Sequence, residues 1–594
     1  MKLVLFDLGN TLESNGVLLP GAMEALEAVA SLRAGGRPAA LLGLVSDFEM
    51  PRQPSDVPII QQRYYELLDD LGIRPFFEPL AERVTLSTEV GVFKPDEAIF
   101  RAATSKVDPT LEFDDVLFVT ENPSHVLAAR SLGLSAVHLR GPGQPLGEVE
   151  TLPDLVPLMQ AFVQGEELVQ TVVLDAPDAN STAMITNRSA AMDATWTRLG
   201  DVLVVRATAT LAGQILAHRE MADSARRLFI PKQRLHVVTQ IARLFQEDHP
   251  DVRVVVDKGR YLVVDLDPGM PSLVDGPHAS CYAVRPLPPD TVVFDHRAAR
   301  PRHTTAPVEE VGLLAGELSR MAFEEDLGTL ARLPTRHSTS AQFLGALDWA
   351  SDRLTDLGYA THIQTVAVHG GTTRNLIADR PGEGTDRNVV LVSAHLDSVN
   401  TRGAAAAAPG ADDNASGSAG VLAIGQALAD RTRRHDLRLI LFGGEEQGLF
   451  GSRHYVSGLD AAERARISAV VNMDMIACRN TGNSTVLLEG ASVSQAVIEK
   501  LVGIAQAHTS LAVQTSLEPF NSDHVPFIDL GIPAVLTIEG TDSANDRVHT
   551  ERDTLDTLDI DLALEILRMN LLFVAQALDS DIHSPTDQLK ENLR

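Results

Sequence analysis

Six residues in the C-terminal half of this chain bring imidazole and carboxylate groups together in short, separated motifs: His395, Asp413, Glu445, Glu446, Asp474 and His549. Donors of these types suit zinc, and oxygen-rich mixed sites also accept manganese or cobalt. Two ions about 3.5–4 Å apart need one shared carboxylate and a couple of further ligands each. The inventory meets that count with one acid left over, and on count alone several pairings are open. An acid without a metal of its own, next to one that has, is placed to take a proton from water. A Glu-Glu pair in isolation would read as solvated charge, so the setting decides.

That setting is a series of strand ends. Val389-Val390-Leu391-Val392 empties into Ser393-Ala394-His395-Leu396-Asp397-Ser398, and Leu439-Ile440-Leu441-Phe442 into Gly443-Gly444-Glu445-Glu446-Gln447-Gly448. Ala469-Val470-Val471-Asn472-Met473 delivers Asp474, and the run 533–538 precedes the loop that carries His549. Apolar runs without polar alternation are expected to be strands buried on both faces of a parallel sheet, whose carboxyl edge collects chemistry. Asp413 sits in the small-residue loop 409–417 and directly precedes Asn414-Ala415-Ser416-Gly417; its neighbour Asp412 is expected to serve the loop or helix start. Gly443 and Gly444 allow close backbone approach. Asp397, two residues after His395, can accept the second imidazole N–H. His337 and His524 read as structural or pocket residues, and Cys478 as a buried thiol.

With 594 residues, the chain is expected to form roughly three or four domains. Its 44% hydrophobic and 22% charged residues describe a core-forming protein. A formal net charge of -30 argues against nucleic acid or an anionic membrane as the main partner. Two cysteines, Cys281 and Cys478, exclude a disulfide scaffold. No apolar run reaches the roughly 20 residues of a membrane span, and the N-terminus lacks the apolar core of a signal peptide. The expected compartment is the cytoplasm.

In residues 1–160, strand-like runs alternate with helix-compatible segments, as in a parallel α/β sheet. Asp7 follows Leu3-Val4-Leu5-Phe6, Ser46 closes Leu44-Val45-Ser46, and Lys94 stands in Val92-Phe93-Lys94-Pro95-Asp96. On these residues, with Glu121 in Thr120-Glu121-Asn122, the region resembles the haloacid-dehalogenase-like (HAD-like) hydrolases. The resemblance implies Asp7 as nucleophile, Ser46 and Lys94 as second and third motifs, and Glu121 as a magnesium ligand. Gly9 stands where that family has its general acid, and His125 where it has a second acid. The expectation is therefore a degenerate domain, which would need Mg²⁺ only if active.

Residues 161–305 carry no named motif. Strands are expected at 171–174, 202–205, 252–256 and 261–264, helices at 207–228 and 235–245, and a hairpin over 251–265 turning at Asp257-Lys258-Gly259-Arg260. The expectation is an α+β accessory domain, with 300–307 as a linker.

Residues 306–594 open with expected helices at 313–331 and 341–357. Their motifs are His395-Leu396-Asp397-Ser398, the 409–417 loop, Phe442 to Gly448, Asn472-Met473-Asp474-Met475, Ser522-Asp523-His524, and His549-Thr550 with Asp553-Thr554. In these the region resembles the co-catalytic zinc aminopeptidases of the M28 metallopeptidase family. The resemblance implies an α/β/α zinc-peptidase domain with a mixed central sheet, so that the whole chain is a multidomain α/β protein. It implies two Zn²⁺, with Co²⁺ or Mn²⁺ as substitutes. Asp413 would bridge, His395 and Asp474 would hold one ion, Glu446 and His549 the other, and Glu445 would be the general base, with Asp397 fixing the His395 imidazole. Phe520, Ser522 and Asp523 would belong to the substrate loop; Phe520 and Val548 stand near positions where some relatives place a tyrosine. The implied activity is release of N-terminal, preferentially apolar, residues from peptides by a dizinc-activated water. The alternatives are a carboxypeptidase or amide hydrolase of the same fold, or a bifunctional protein with residual HAD-like phosphatase activity. A glutaminyl cyclase would not need His395, and a non-catalytic scaffold would have lost ligands. The expected partner is a peptide or amide, with oligomerisation through the accessory domains left open.

Overall fold

In a computed structural model of the chain, residues 2–34, 37–144, 148–165, 169–175, 194–208, 225–230, 234–266, 281–297 and 316–579 are described, with a few single positions between them. They fall into two compact units, Met1–Trp196 with Val202–Gln233, and Thr197–Asp201 with Arg234–Arg594.

The first unit contains a parallel sheet in the order Val84–Leu86, Ala40–Ser46, Lys2–Phe6, Val116–Thr120, Ser135–His138. Alternation along the central strand sends Val4 and Phe6 into one core, with Leu42, Leu44, Leu117 and Val119. Leu3 and Leu5 enter another, with Val116 and Phe118. Both faces of the sheet are thus covered, as parallel sheets require. Asp7 follows the central strand at its carboxyl end. The same unit holds an antiparallel group in which Val169–Asp175 pairs with both Val202–Thr208 and Ala225–Leu228.

The second unit contains a four-stranded antiparallel sheet, ordered Arg253–Lys258, Tyr261–Asp265, Leu235–Gln240, Tyr282–Pro286. The expected hairpin is present, turning at Gly259 with φ 70°. The helix expected over 235–245 is not. Leu235–Gln240 is a strand paired on both sides, and only Leu244–Asp248 is helical. Val238, Ile241 and Phe245 fit a helical spacing, but the β-branched run Val237-Val238-Thr239 suits a pleated ladder, and pairing on both edges settles the outcome. The helix expected over 207–228 also fails at both described ends, which are strands; 209–224 lies, apart from Ala212, outside the described residues, as does the expected linker at 300–307.

The main sheet of this unit is mixed. Its order is Thr291–Arg297, Ala512–Ser516, Thr485–Glu489, Ala534–Glu539, Ile467–Met473, Val389–His395, Asp436–Phe442, Gly371–Arg380, Ala360–Val368. The four strands from Ala534–Glu539 to Asp436–Phe442 run parallel, so their carboxyl ends share one edge. Helices Arg320–Ala331, Ala341–Asp356, Gly417–Leu428, Gln495–His508 and Ile560–Ala577 cover the face that presents Val390, Val392, Leu439 and Val471. Phe450–Ser457 and Val525–Asp529 cover the face of Leu391, Ile440 and Val470. Alternate residues of the same strands therefore enter different cores, which is the origin of the unbroken apolar runs. Cys281 and Cys478 form no disulfide. No described helix is long and apolar enough to cross a membrane.

Candidate metal centre

Four parallel strands stop at one edge, and the loops that leave them converge. His395 is the last residue of its strand and is buried. Its Nε2 lies 3.1 Å from Asp474 Oδ1 and 3.3 Å from Asp413 Oδ1. On the other side, His549 Nε2 lies 2.9 Å from Glu446 Oε2 and 3.3 Å from Asp413 Oδ2. The Asp413 carboxylate thus stands between two imidazoles, one to each oxygen. Glu445 joins His395 and Asp474 in a group whose ligand atoms lie within 4.8 Å of one another, and His395, Asp413 and Glu446 form a second such group. All of these residues line one pocket.

The loop bearing Asp413 is held from below. Asp553 accepts the backbone N–H groups of both Asp412 and Asp413 at 2.9 Å. The Asp412 side chain takes the Ala477 N–H at 2.9 Å, the Ser416 hydroxyl and the Asn545 amide, so it ties loops together as the sequence implies. Arg336, fully buried, donates to Leu396 O at 2.8 Å, Gly410 O at 2.9 Å and Pro409 O, fastening the His395 loop to the Asp413 loop. Burial pulls this guanidinium down to about 10, with the surrounding acids opposing. Asp474 is oriented by a relay: Ser393 donates to Asn472 at 2.9 Å, Asn472 to Ser522 at 2.9 Å, and Ser522 to Asp474 Oδ2 at 2.7 Å.

The electrostatics are those of a cation site. Burial would raise the Asp413 carboxyl, but the two histidines hold it well below the usual range. Burial, reinforced by the charge on Asp413, pushes Glu446 up to about 7. Glu445 is raised further by burial, with His395 opposing. Burial would lower His395, yet Asp474 and Glu445 raise it well above its ordinary value. Four acids face two imidazoles, and Glu446 Oε1 and Asp397 Oδ2 are buried without a hydrogen-bond partner. This mixed set of nitrogen and oxygen donors fits divalent zinc, which would neutralise the surplus charge.

Some expected residues sit differently. His395 Nδ1 is 3.1 Å from the Asp397 carbonyl and 3.7 Å from its carboxylate, so the backbone is the nearer partner. The Asp397 carboxylate instead accepts the Glu445 N–H at 3.3 Å. Ser522 lines the pocket with Asn521, Asp523 is fully buried behind it, and Phe520 turns its carbonyl and ring to Arg260. Arg336 and Arg260 escaped the sequence reading: each is one arginine in an unremarkable segment, and only the burial of a full guanidinium reveals its role.

In the first unit, Lys94 Nζ lies 2.7 Å from Asp7 Oδ1, and Thr120 donates to Asp7 Oδ2 at 3.1 Å. Glu121 accepts from Thr11 at 2.7 Å, while the Ser46 hydroxyl pairs with Tyr64 at 2.6 Å. Burial raises the Asp7 carboxyl despite Lys94. His125 Nδ1 has no hydrogen-bond partner.

The sequence model of peptidase family M28 matches residues 375–574. A leupeptin-inactivating enzyme of Streptomyces exfoliatus is 35% identical over 250 residues, 41% of this chain and 52% of its own. An aminopeptidase of Pseudomonas aeruginosa is 35% identical over 167 residues, 27% of this chain and 30% of its own. The chain therefore spans about half, or less, of the length of these relatives. Among solved structures, a zinc aminopeptidase from Bacillus subtilis overlaps with a TM-score of 0.39 at 17% identity, covering 44% of this chain and 95% of its own.

Proposed function

We propose, from the match of residues 375–574 to the sequence model of peptidase family M28, that the second unit is a zinc-dependent aminopeptidase. The observation that carries this reading is the Asp413 carboxylate shared between His395 and His549, inside a surplus of buried acids. His395 and Asp474 would hold one ion and Glu446 and His549 another, with Asp413 common to both. Zinc bound there would supply a Lewis acid for the scissile carbonyl and make a water more acidic. Glu445 then accepts a proton from the attacking water and returns it to the leaving amine. The relay through Asn472 and Ser522 fixes Asp474, and Arg336 keeps the two ligand-bearing loops in register. A peptide's free amine, being cationic, is drawn to the remaining carboxylate charge. We read the chain as residues 1–160, 161–305 and 306–594, with only the last carrying peptidase chemistry.

The test is an assay of purified protein on aminoacyl anilides and their N-blocked counterparts, after chelation and after zinc or cobalt replacement. Release from free-amine substrates only, abolished by the chelator and restored by metal, is the expected outcome. Cleavage of blocked substrates would move the assignment to an amidase or carboxypeptidase.

For residues 1–160 we propose a degenerate HAD-like domain. The Asp7–Lys94 pair and Glu121 support a site of that type, and Gly9 removes its acid. A Cβ built at Gly9 meets only Glu13 Oε1, at 3.8 Å, so a side chain can start there without a backbone clash. The wild-type chain should leave aryl phosphates intact in Mg²⁺, and Gly9→Asp should gain turnover that Asp7→Asn removes. Wild-type hydrolysis dependent on Asp7 would overturn the degenerate reading.

A further inference from the structure

The antiparallel sheet of the second unit contributes to the same pocket as the metal-binding residues. Ile241, which follows the Leu235–Gln240 strand, and Arg260, at the hairpin turn, both line it. Arg260 is 4% exposed and is gripped from several sides. Its Nε and Nη2 meet the two Glu489 oxygens at 3.0 and 3.2 Å, and Nη2 also reaches Phe520 O at 3.2 Å. Glu489 also accepts the Tyr261 hydroxyl at 2.5 Å and the Phe520 N–H at 2.8 Å, and His524 Nε2 lies 3.5 Å from it. Arg260 Nη1 donates to Asp542 Oδ2 at 2.8 Å. The hairpin tip presses on this loop, since a Cβ at Gly259 would collide with the Ser543 hydroxyl.

Two carboxylates therefore share one guanidinium. The bidentate Glu489 pair is the charge balance, because it holds Arg260 in a planar fork. Asp542 is the surplus anion. Its Oδ1 is buried without a hydrogen-bond partner, and the residue lines the pocket, with the Ser543 N–H near the same carboxylate. A carboxylate oxygen buried without a hydrogen-bond partner, on a residue that lines a cavity, is costly to leave bare. The same pocket is also lined by the apolar side chains of Ile241, Met475, Leu536 and Ile538, beside Cys281 and Asn521. Apolar side chains together with the Asp542 carboxylate match a side chain with a methylene stem and a cationic head.

We propose that Asp542, positioned by Arg260, determines specificity by receiving the basic side chain of a lysyl or arginyl substrate. This deepens the aminopeptidase reading and rests on it. It departs from the apolar preference that the family resemblance implies.

The test compares lysyl and norleucyl anilides, which share a stem and differ in the head, on the zinc-loaded full chain. The wild type should favour the lysyl substrate, and Asp542→Asn should lower the lysyl-to-norleucyl ratio of kcat/KM by about tenfold or more, through KM. Asp542→Glu should keep part of the preference, and thermal melting should show both variants folded. A wild type that favours norleucyl, or an Asp542→Asn ratio equal to that of the wild type, would overturn the proposal. If no anilide is cleaved, calorimetric binding of lysinamide against norleucinamide separates the two readings. Tighter lysinamide binding lost in Asp542→Asn supports the pocket while the peptidase reading fails, and equal binding overturns the pocket as well.

Discussion

One part of the pocket is made of parallel strand ends and bears His395, Asp413, Glu446, Asp474 and His549, while another is made of a hairpin and bears Arg260 against Glu489 and Asp542. Both are dense in buried charge, yet they are balanced differently. In the first, acids outnumber the two imidazoles and buried oxygens are left over, which calls for an external cation. In the second, the guanidinium is already supplied by the chain, and a single carboxylate oxygen is left over. Surplus charge in the first region therefore reads as chemistry, and the smaller surplus in the second as recognition. Burying charge without a partner is too costly to persist for packing alone.

The comparison breaks most decisively at Glu445. Glu445→Gln keeps the size of the side chain and removes the proton acceptor, so kcat should fall by about 10²–10⁴ while KM moves little. Metal content, measured by atomic absorption on the same preparation, should stay at the wild-type level. A variant that loses metal together with activity would make Glu445 a ligand, and the proton-transfer role would then have to be given up.

The two regions also differed in how far they could be read from the sequence. His395, Glu445 and Asp474 each follow an uninterrupted apolar run, and such a run has few readings other than a strand covered on both faces. The ends of those strands were therefore legible, and so was their meeting at one edge. Asp413 is singled out from its neighbour Asp412 because it directly precedes Asn414-Ala415-Ser416-Gly417, and it stands between His395 and His549 while Asp412 ties loops together. Arg260 was not. It stands in a turn where a solvated arginine is the ordinary expectation, and its partners Glu489 and Asp542 are more than two hundred residues away. Nothing local marks such a pairing. The Leu235–Gln240 strand was misread for a related reason: its apolar residues satisfy two periodicities, and only the neighbouring strands choose between them. The Asp397 carboxylate is the partner the spacing suggests for His395, but the carbonyl of the same residue lies closer, and a spacing of two residues does not distinguish the two oxygens.

A smaller effect sharpens the contrast from the recognition side. Burial alone would raise the Glu489 carboxyl, but Arg260 and then His524 outweigh it and bring it down to about 2. A carboxyl whose folded pKa lies below its unfolded value stabilises the fold above the unfolded value, and that contribution disappears as pH falls through the folded one. Glu489 is fully buried, so solvent does little to weaken the pair. Glu489→Gln should therefore cost about 3 kcal/mol at pH 7, and the gap between wild type and variant should narrow from about pH 4.5 down toward pH 2. Denaturant unfolding of both proteins at matched metal content measures that gap directly, since the acid response of the metal-binding residues is common to the two and cancels. A gap that stays constant across this range would mean that Glu489 contributes by packing and hydrogen bonding rather than through its charge. Arg260 would then be balanced by Asp542 instead, and no surplus negative charge would remain to receive a cationic side chain.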